Sequence, residues 1–250
     1  MKQCVDVPRV QKVLFNMAVA IRDILEKNAI PYMLAYGTLL GAVRHKGFIP
    51  WDDDFDFYLF GDSYEKAIRC LRDELPADYF VEDETSEPLY FHGWAHVKDL
   101  KSVAVCEAYP QDSLYSHKGI SVDLYKTEQM PLKDLNKYLN QENYAYLERR
   151  KNKGMISEDD YTDRLNRLHE KIENQSAEVS EQLIYSLVTG YKCRYLCAED
   201  VLPLKRYEFN GVMFYGPQNA DAVLTVIYGD YMQLPPEEKR QCHYSSVEFL

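Results

Sequence analysis

At 250 residues, with 46% hydrophobic and 28% charged side chains, the chain has the make-up of one soluble globular domain, or of a compact domain with an insertion. A chain this long buries about three quarters of its unfolded surface and needs no cross-links. The formal charge of −11 excludes a nucleic-acid-binding surface, which must be basic, but admits a small nucleotide where metal and a few cations make the site locally positive.

Apolar residues at Val10, Val13, Leu14, Met17, Ile21, Ile24 and Leu25 follow Pro8 at helical spacing and predict an amphipathic packing helix to about Lys27. Asn28 and Pro31 end it, and Tyr32 to Tyr36 reads as a short apolar strand delivering Gly37. Gly37 and Thr38 then turn into a short helix, which would aim backbone N–H groups and a positive helix end at an anion. Arg44 and Lys46 follow as cations available to phosphate, or as charge balance for the aspartates beyond them.

Those aspartates, Asp52, Asp53, Asp54 and Asp56, run into Phe55, Phe57, Tyr58 and Leu59, which is strand composition. In a strand, Asp52, Asp54 and Asp56 share one face, with backbones about 7 Å apart. Two such carboxylates drawn to about 4 Å at an effective dielectric near 20 repel by roughly 4 kcal/mol. A hard divalent cation relieves this, and Mg²⁺, with Mn²⁺ as the alternative, also takes substrate phosphate as a ligand. An EF-hand does not fit, because its sixth position would be Phe57 and its twelfth Ser63.

Further on, Asp62-Ser63 is expected to cap a helix that stops at Pro76. Strands are predicted at Tyr79 to Val81, Trp94 to Val97 and Val103 to Cys106, and Lys98 lies where it could face a nucleotide. Ile120 to Tyr125 alternates so that Ser121 and Asp123 share a face, and Asp123 would supply the third carboxylate from a neighbouring strand. Long polar helices are expected at Asp134 to Lys151 and Asp160 to Glu173, the second with a capping pattern at Ser157. The helical composition is read as extending to Leu187. The helical spacing of Tyr138, Tyr144, Tyr146 and Tyr161 reads as core packing or a partner surface, with a sugar or choline headgroup against the rings as the alternative. Asn210-Gly211 predicts a tight hairpin, and Asn219 and Gly229 bracket a helix through Ala222, Val223, Val226 and Ile227.

The stretch from Gly37 to Asp56, GTLLGAVRHKGFIPWDDDFD, closely resembles the signature of the LicD family, phosphocholine transferases of bacterial surface glycans whose relatives include fukutin and fukutin-related protein. Tyr228-Gly229-Asp230-Tyr231-Met232, then Leu234 to Arg240 and His243, form a second match, and Gly119 to Leu124 a third. The resemblance implies a nucleotidyltransferase-like fold and Mg²⁺-dependent transfer of a substituted phosphate from a CDP-linked donor to a glycan or lipid-linked glycan hydroxyl, with release of CMP. Carried over, Gly37 and Thr38 touch donor phosphates, and Asp54, Asp56 and Asp123 bind metal with Asp52 beside them. From acid–base chemistry rather than the resemblance, Asp52 or Asp123 is expected to take the acceptor proton. Arg44, Lys46, Lys98 and His243 complete the donor site. At Asp123 the family strand continues into Phe-Pro, whereas here Leu124 is followed by Tyr125-Lys126.

The expected fold is α/β (α+β), a nucleotidyltransferase-like mixed sheet flanked by helices. It divides into a catalytic core over residues 1–130, a helical insertion or lid over 131–190, and a hairpin, helix and tail over 191–250 that complete the core. Phosphocholine is the favoured transferred group, with ribitol or glycerol phosphate as alternatives. The rivals are a nucleotidyltransferase using an NTP and an idle domain that binds a glycan or partner. Scattered cysteines and no signal-peptide pattern suggest reduced thiols in the cytoplasm. The longest uncharged run, Tyr32 to Val43, falls short of the roughly 20 residues that cross a bilayer, so a membrane-linked acceptor would be met from the inner membrane surface.

Overall fold

The computed structural model describes residues 5–107, 110–176, 179–189 and 192–250, with the side chains of 111, 188, 189, 192 and 193 outside the description. Helix α1, Val7–Lys27, is capped by the Asp6 carboxylate, which accepts from the Arg9 N–H, and buries Val10, Leu14, Met17, Ile21 and Leu25 along one stripe. Strand β1, Tyr32–Leu34, leads into α2, Tyr36–His45, and a loop then delivers β2, Asp56–Phe60, all five residues of which are buried. Helix α3, Gly61–Glu74, is followed by β3, Tyr79–Glu82, β4, Ala95–Asp99, β5, Ser102–Cys106, and β6, Ser121–Thr127.

Five of these strands make the central sheet, in the order β1-β2-β6-β4-β3. β2 and β6 run parallel and the other pairs are antiparallel. Alternation gives the sheet two unlike faces. Phe57, Leu59, Val97, Val122 and Leu124 are buried in one hydrophobic cluster with α1 and α3, which pack together against the sheet. The opposite face follows from register: Asp56 pairs with Asp123, Asp123 with His96 and His96 with Glu82, so a row of ionisable side chains crosses four strands.

Next come β7, Gln129–Pro131, then the antiparallel helices α4, Leu135–Asn152, and α5, Glu158–Glu173, with the Ser157 hydroxyl accepting from the Asp160 N–H at the start of α5. Strands β8, Leu183–Thr189, and β9, Lys192–Cys197, join β7 in a small sheet. A single helical turn, α6, Ala198–Val201, leads to the hairpin β10, Lys205–Phe209, and β11, Val212–Gly216. Both hairpin turn residues have positive φ, 48° at Asn210 and 78° at Gly211, as the two-residue turn demands. Helix α7, Ala220–Tyr228, is capped by Asn219 and ends at Gly229, and β12, Tyr244–Phe249, returns to pair with β5. Among the described residues no helix is long and apolar enough to cross a membrane.

Three local expectations change. α3 begins at Gly61 with Phe60 in the extended cap position; Asp62 sits in the first turn, where its charge meets the helix dipole, and the Ser63 hydroxyl donates back to the Phe60 carbonyl. The regular strand starts only at Asp56, because Asp52 to Phe55 form irregular backbone. The chain read as helical up to Leu187 instead leaves the helix at Glu173 and returns as β8, whose Ile-Tyr-Ser-Leu-Val-Thr run has strand composition and pairs on both sides. Cys4 and the side chain of Cys193 lie outside the described residues, and Cys70 and Cys197 are free thiols.

Gly119, which enters β6, lies so close to the neighbouring backbone that a Cβ there would overlap the Asp99 carbonyl oxygen. Neither backbone can yield without breaking the β4–β6 pairing. Gly119→Ala is therefore expected to cost about 3 kcal/mol, at the upper end of overpacking losses, read as a lower urea midpoint at unchanged slope.

Candidate active site

The site is assembled where α2 begins. The Ala35 N–H donates to the Asp56 carbonyl, and the Asp56 N–H donates to the Thr38 hydroxyl at 2.9 Å, so the first turn of α2 is tied to the first residue of β2. Gly37 sits directly against the carboxylates: a Cβ there would lie 2.9 Å from Asp52 Oδ2 and 3.9 Å from Asp54 Oδ1. The bare backbone thus lets the positive end of the helix face two negative side chains.

Asp53 points elsewhere. It is fully buried and accepts from the His243 N–H at 2.7 Å, His243 Nδ1 at 3.0 Å and the Tyr244 N–H at 2.9 Å. This carboxylate anchors the C-terminal segment and swings His243 over the site, where Nδ1 is 3.4 Å from Asp54 Oδ2. The Asp53 hydrogen bond, with Asp54 and Asp52 nearby, outweighs burial and raises His243 to about 9, so the ring is a cation among carboxylates. One ligand atom each from Asp52, Asp54 and His243 falls within 4.8 Å of the others.

Asp56 and Asp123 are direct neighbours on parallel strands. Burial, then the charges of Asp54 and Asp123, push Asp56 well above the usual carboxylate range. Burial likewise raises Asp123 to about 6, against a 2.9 Å hydrogen bond from the Tyr125 hydroxyl. Asp52 is raised to about 8 by burial and by Asp54. Behind Asp123, His96 Nε2 lies 3.3 Å from its Oδ1, while His96 Nδ1 is 3.6 Å and Lys98 Nζ 3.8 Å from the buried Glu82. Burial raises Glu82 to about 7.

A cavity of about 460 Å³ opens beside this cluster, with Asp54, Asp123, Trp94, His96, Lys98 and His243 among its lining residues. Gly37 and Thr38 abut the aspartates but are not among the residues that line the cavity. The structure therefore brings together Gly37, Thr38, Asp52, Asp54, Asp56, Asp123 and His243, and puts Lys98 on the cavity wall. Arg44 is half-buried and donates to the Tyr231 carbonyl at 2.6 Å and to His45 at 2.9 Å, within electrostatic reach of Asp52. Lys46 is exposed, in left-handed conformation at the end of α2, and makes no ion pair with the aspartates.

Sequence reasoning missed Asp53 as the tail anchor, and it missed Glu82, His92, Trp94 and His96. His96 is two residues before Lys98 and so on its face of β4, a signal within reach; Glu82 is connected to the site only by strand pairing. For a hard cation the donor set fits: it is rich in carboxylate oxygen, and Asp54 Oδ1 is buried with no hydrogen-bond partner.

These features define a mixed α/β domain with a partly buried acidic cluster set against the start of a helix. Residues 29–135 match the family model described as LicD/FKTN/FKRP, nucleotidyltransferase domain. Over that span the chain resembles the LicD family. It is 26% identical over 260 residues to the lipopolysaccharide cholinephosphotransferase LicD of Haemophilus influenzae (strain ATCC 51907 / DSM 11121 / KW20 / Rd), covering 96% of each chain. It is also 26% identical over 132 residues to an uncharacterized protein of Rickettsia prowazekii (strain Madrid E), covering 45% of this chain and 46% of that one. A further uncharacterized protein, of Rickettsia typhi (strain ATCC VR-144 / Wilmington), is 28% identical over 111 residues, or 28% of this chain and 36% of that one.

Removing the anchor tests the account of the tail. Asp53→Ala is expected to cost about 3 kcal/mol, since charged hydrogen bonds each carry about 1.5–3 kcal/mol. Hydrogen exchange should accelerate selectively across Tyr244–Phe249 and its partner Ser102–Cys106.

Proposed function

We propose that the protein is a LicD-like phosphotransferase that moves a substituted phosphate, phosphocholine in the favoured case, from a CDP-linked donor to a hydroxyl of a cell-surface glycan and releases CMP. One observation carries this: a cluster of buried and half-buried carboxylates faces a helix N-terminus and borders a cavity. The similarity to a cholinephosphotransferase over nearly the whole chain favours choline over ribitol or glycerol.

In this reading Asp54, Asp56 and Asp123 hold Mg²⁺, or Mn²⁺ in its place, with Asp52 and His243 beside them. The ion supplies charge stabilisation to the transferring phosphoryl group. Gly37 and the first N–H groups of α2 receive the donor diphosphate, and Thr38 keeps that turn fixed to Asp56 through its hydroxyl. Lys98 and His243 line the cavity and offer cations to phosphate oxygens, and Arg44 supports the approach from the Asp52 side.

The acceptor hydroxyl enters from the cavity. Its oxygen forms the new bond to the donor phosphorus carrying choline, the bond from that phosphorus to the bridging oxygen of CMP breaks, and the hydroxyl proton passes to a carboxylate. Of the two carboxylates first considered as base, Asp52 and Asp123, only Asp123 lines the cavity, and it is the base this arrangement favours.

Nucleotide release is the direct test. With Mg²⁺, CDP-choline should yield CMP, slowly by transfer to water when no glycan is supplied, and EDTA should abolish it. Pyrophosphate from a CTP control would instead mark a nucleotidyltransferase, and CMP from CDP-ribitol or CDP-glycerol alone would rename the transferred group. Asp54→Asn should lose this turnover while melting at the wild-type temperature without metal. Wild-type protein should gain about 2.7 kcal/mol at a Mg²⁺ concentration one hundred times its dissociation constant, and the variant should gain nothing.

A further inference from the structure

A second hollow, of about 250 Å³, lies between α3, the segment before β4, and α4. His92 and Trp94 line both it and the catalytic cavity, so the two spaces share a wall. On the catalytic side of that wall the Trp94 ring is 4.9 Å from the ring of Tyr125, whose hydroxyl donates to Asp123. Anything filling the hollow therefore sits one residue layer from the reacting aspartates.

Its chemistry is mixed. Helix α4 turns a stripe of Tyr138, Glu142 and Arg149 toward the hollow, at spacings of four and seven residues, while Leu135, Leu139, Asn143 and Leu147 form the buried stripe. Tyr64, Tyr90 and Trp94 supply aromatic surface from the other walls. Glu142 and Arg149 are half-buried, and among the described residues neither has an ion pair or side-chain hydrogen bond; Arg149 Nε is fully buried without a partner. A half-buried carboxylate and a half-buried guanidinium left open in one hollow call for a ligand that both accepts and donates. An anion would meet Glu142, Glu65 and Asp83, and a cation would meet Arg149 and Lys126. A neutral polyhydroxyl ring satisfies both signs and presents C–H faces to the aromatic rings.

We infer that this hollow is a saccharide subsite for the glycan acceptor, with α4 of the helical hairpin supplying its specificity. The inference rests on the phosphotransferase reading for the identity of the acceptor, but the binding it asserts can be measured separately. Methyl glucoside, methyl galactoside and N-acetylgalactosamine serve as probes, by saturation-transfer NMR and by the indole N–H resonance of Trp94, one of only two tryptophans in the chain. At least one sugar should bind wild-type protein and shift the Trp94 signal. Glu142→Gln and Arg149→Gln should each weaken that binding about tenfold, which corresponds to the loss of one charged hydrogen bond, and Lys137→Gln, on the exposed side of α4, should bind as wild type. Failure of every sugar to bind, or equal binding by the Glu142 and Arg149 variants in folded protein, overturns the subsite. CMP release from CDP-choline is measured on the same wild-type preparation. Sugar binding without CMP release leaves the subsite standing and sinks the donor assignment, and CMP release without sugar binding does the reverse.

Discussion

Four carboxylates, Asp52, Asp54, Asp56 and Asp123, are held close together in a partly dehydrated pocket, and their mutual repulsion is the constraint that the surrounding structure answers. Each is pushed above its ordinary range by burial, with neighbouring carboxylates adding to the shift. At an effective dielectric near 20, a single pair at about 4 Å costs roughly 4 kcal/mol. The protein meets this with two positive groups of its own, the N-terminus of α2 on one side and the His243 imidazolium on the other. Neither supplies a partner for Asp54 Oδ1, and that residual demand is what a divalent cation would meet.

The answer depends on segments far apart in the chain. Asp53 alternates away from its neighbours and is satisfied entirely by Nδ1 and backbone groups of His243 and the N–H of Tyr244. The tail therefore both lines the cavity and brings in a cation, and β12 is held in place by pairing with β5. On the far side of the sheet α1 and α3 give the apolar packing against which the polar row can be kept rigid. Second-layer groups matter as well: Tyr125 and His96 address the two oxygens of Asp123, and Glu82 lies behind His96, so the carboxylate has little freedom to turn.

The helical hairpin has a more specific place than its polar composition suggests. Tyr144 packs on His169 across the two helices, Tyr161 bonds to Glu148, and Tyr146 joins the cluster around Tyr90, Phe91 and Tyr115. These tyrosines are packing residues. Tyr138 differs, because it lies on the stripe of α4 that borders the hollow sharing His92 and Trp94 with the larger cavity.

Much of this was legible in the chain itself. Helical periodicity marked α1 and α7; polar composition and capping marked α4 and α5; Asn210-Gly211 marked the hairpin; and the aspartate run with Gly37-Thr38 before it marked the site. These signals are local, because propensity, capping and turn chemistry act over a few residues. That the strand of Asp123 lies beside the strand of Asp56 is expected from strand composition and charge, whereas the register that sets these two residues opposite each other is not. What the sequence could not carry is where a side chain ends up when its partner is distant. Asp53 and Asp54 are adjacent and chemically identical, yet one is a buried anchor and the other faces the cavity, and only the path of the tail separates them. Glu82 and His96 joined the site through register across the sheet, Trp94 through the segment that enters β4, and β8 emerged from a region whose composition read as helix. Sequence alone determined the kinds of element and the acidic chemistry, since those follow from short-range preference and charge. Tertiary structure decided which carboxylates share a pocket and what opposes them, because burial and pairing are properties of the assembled sheet.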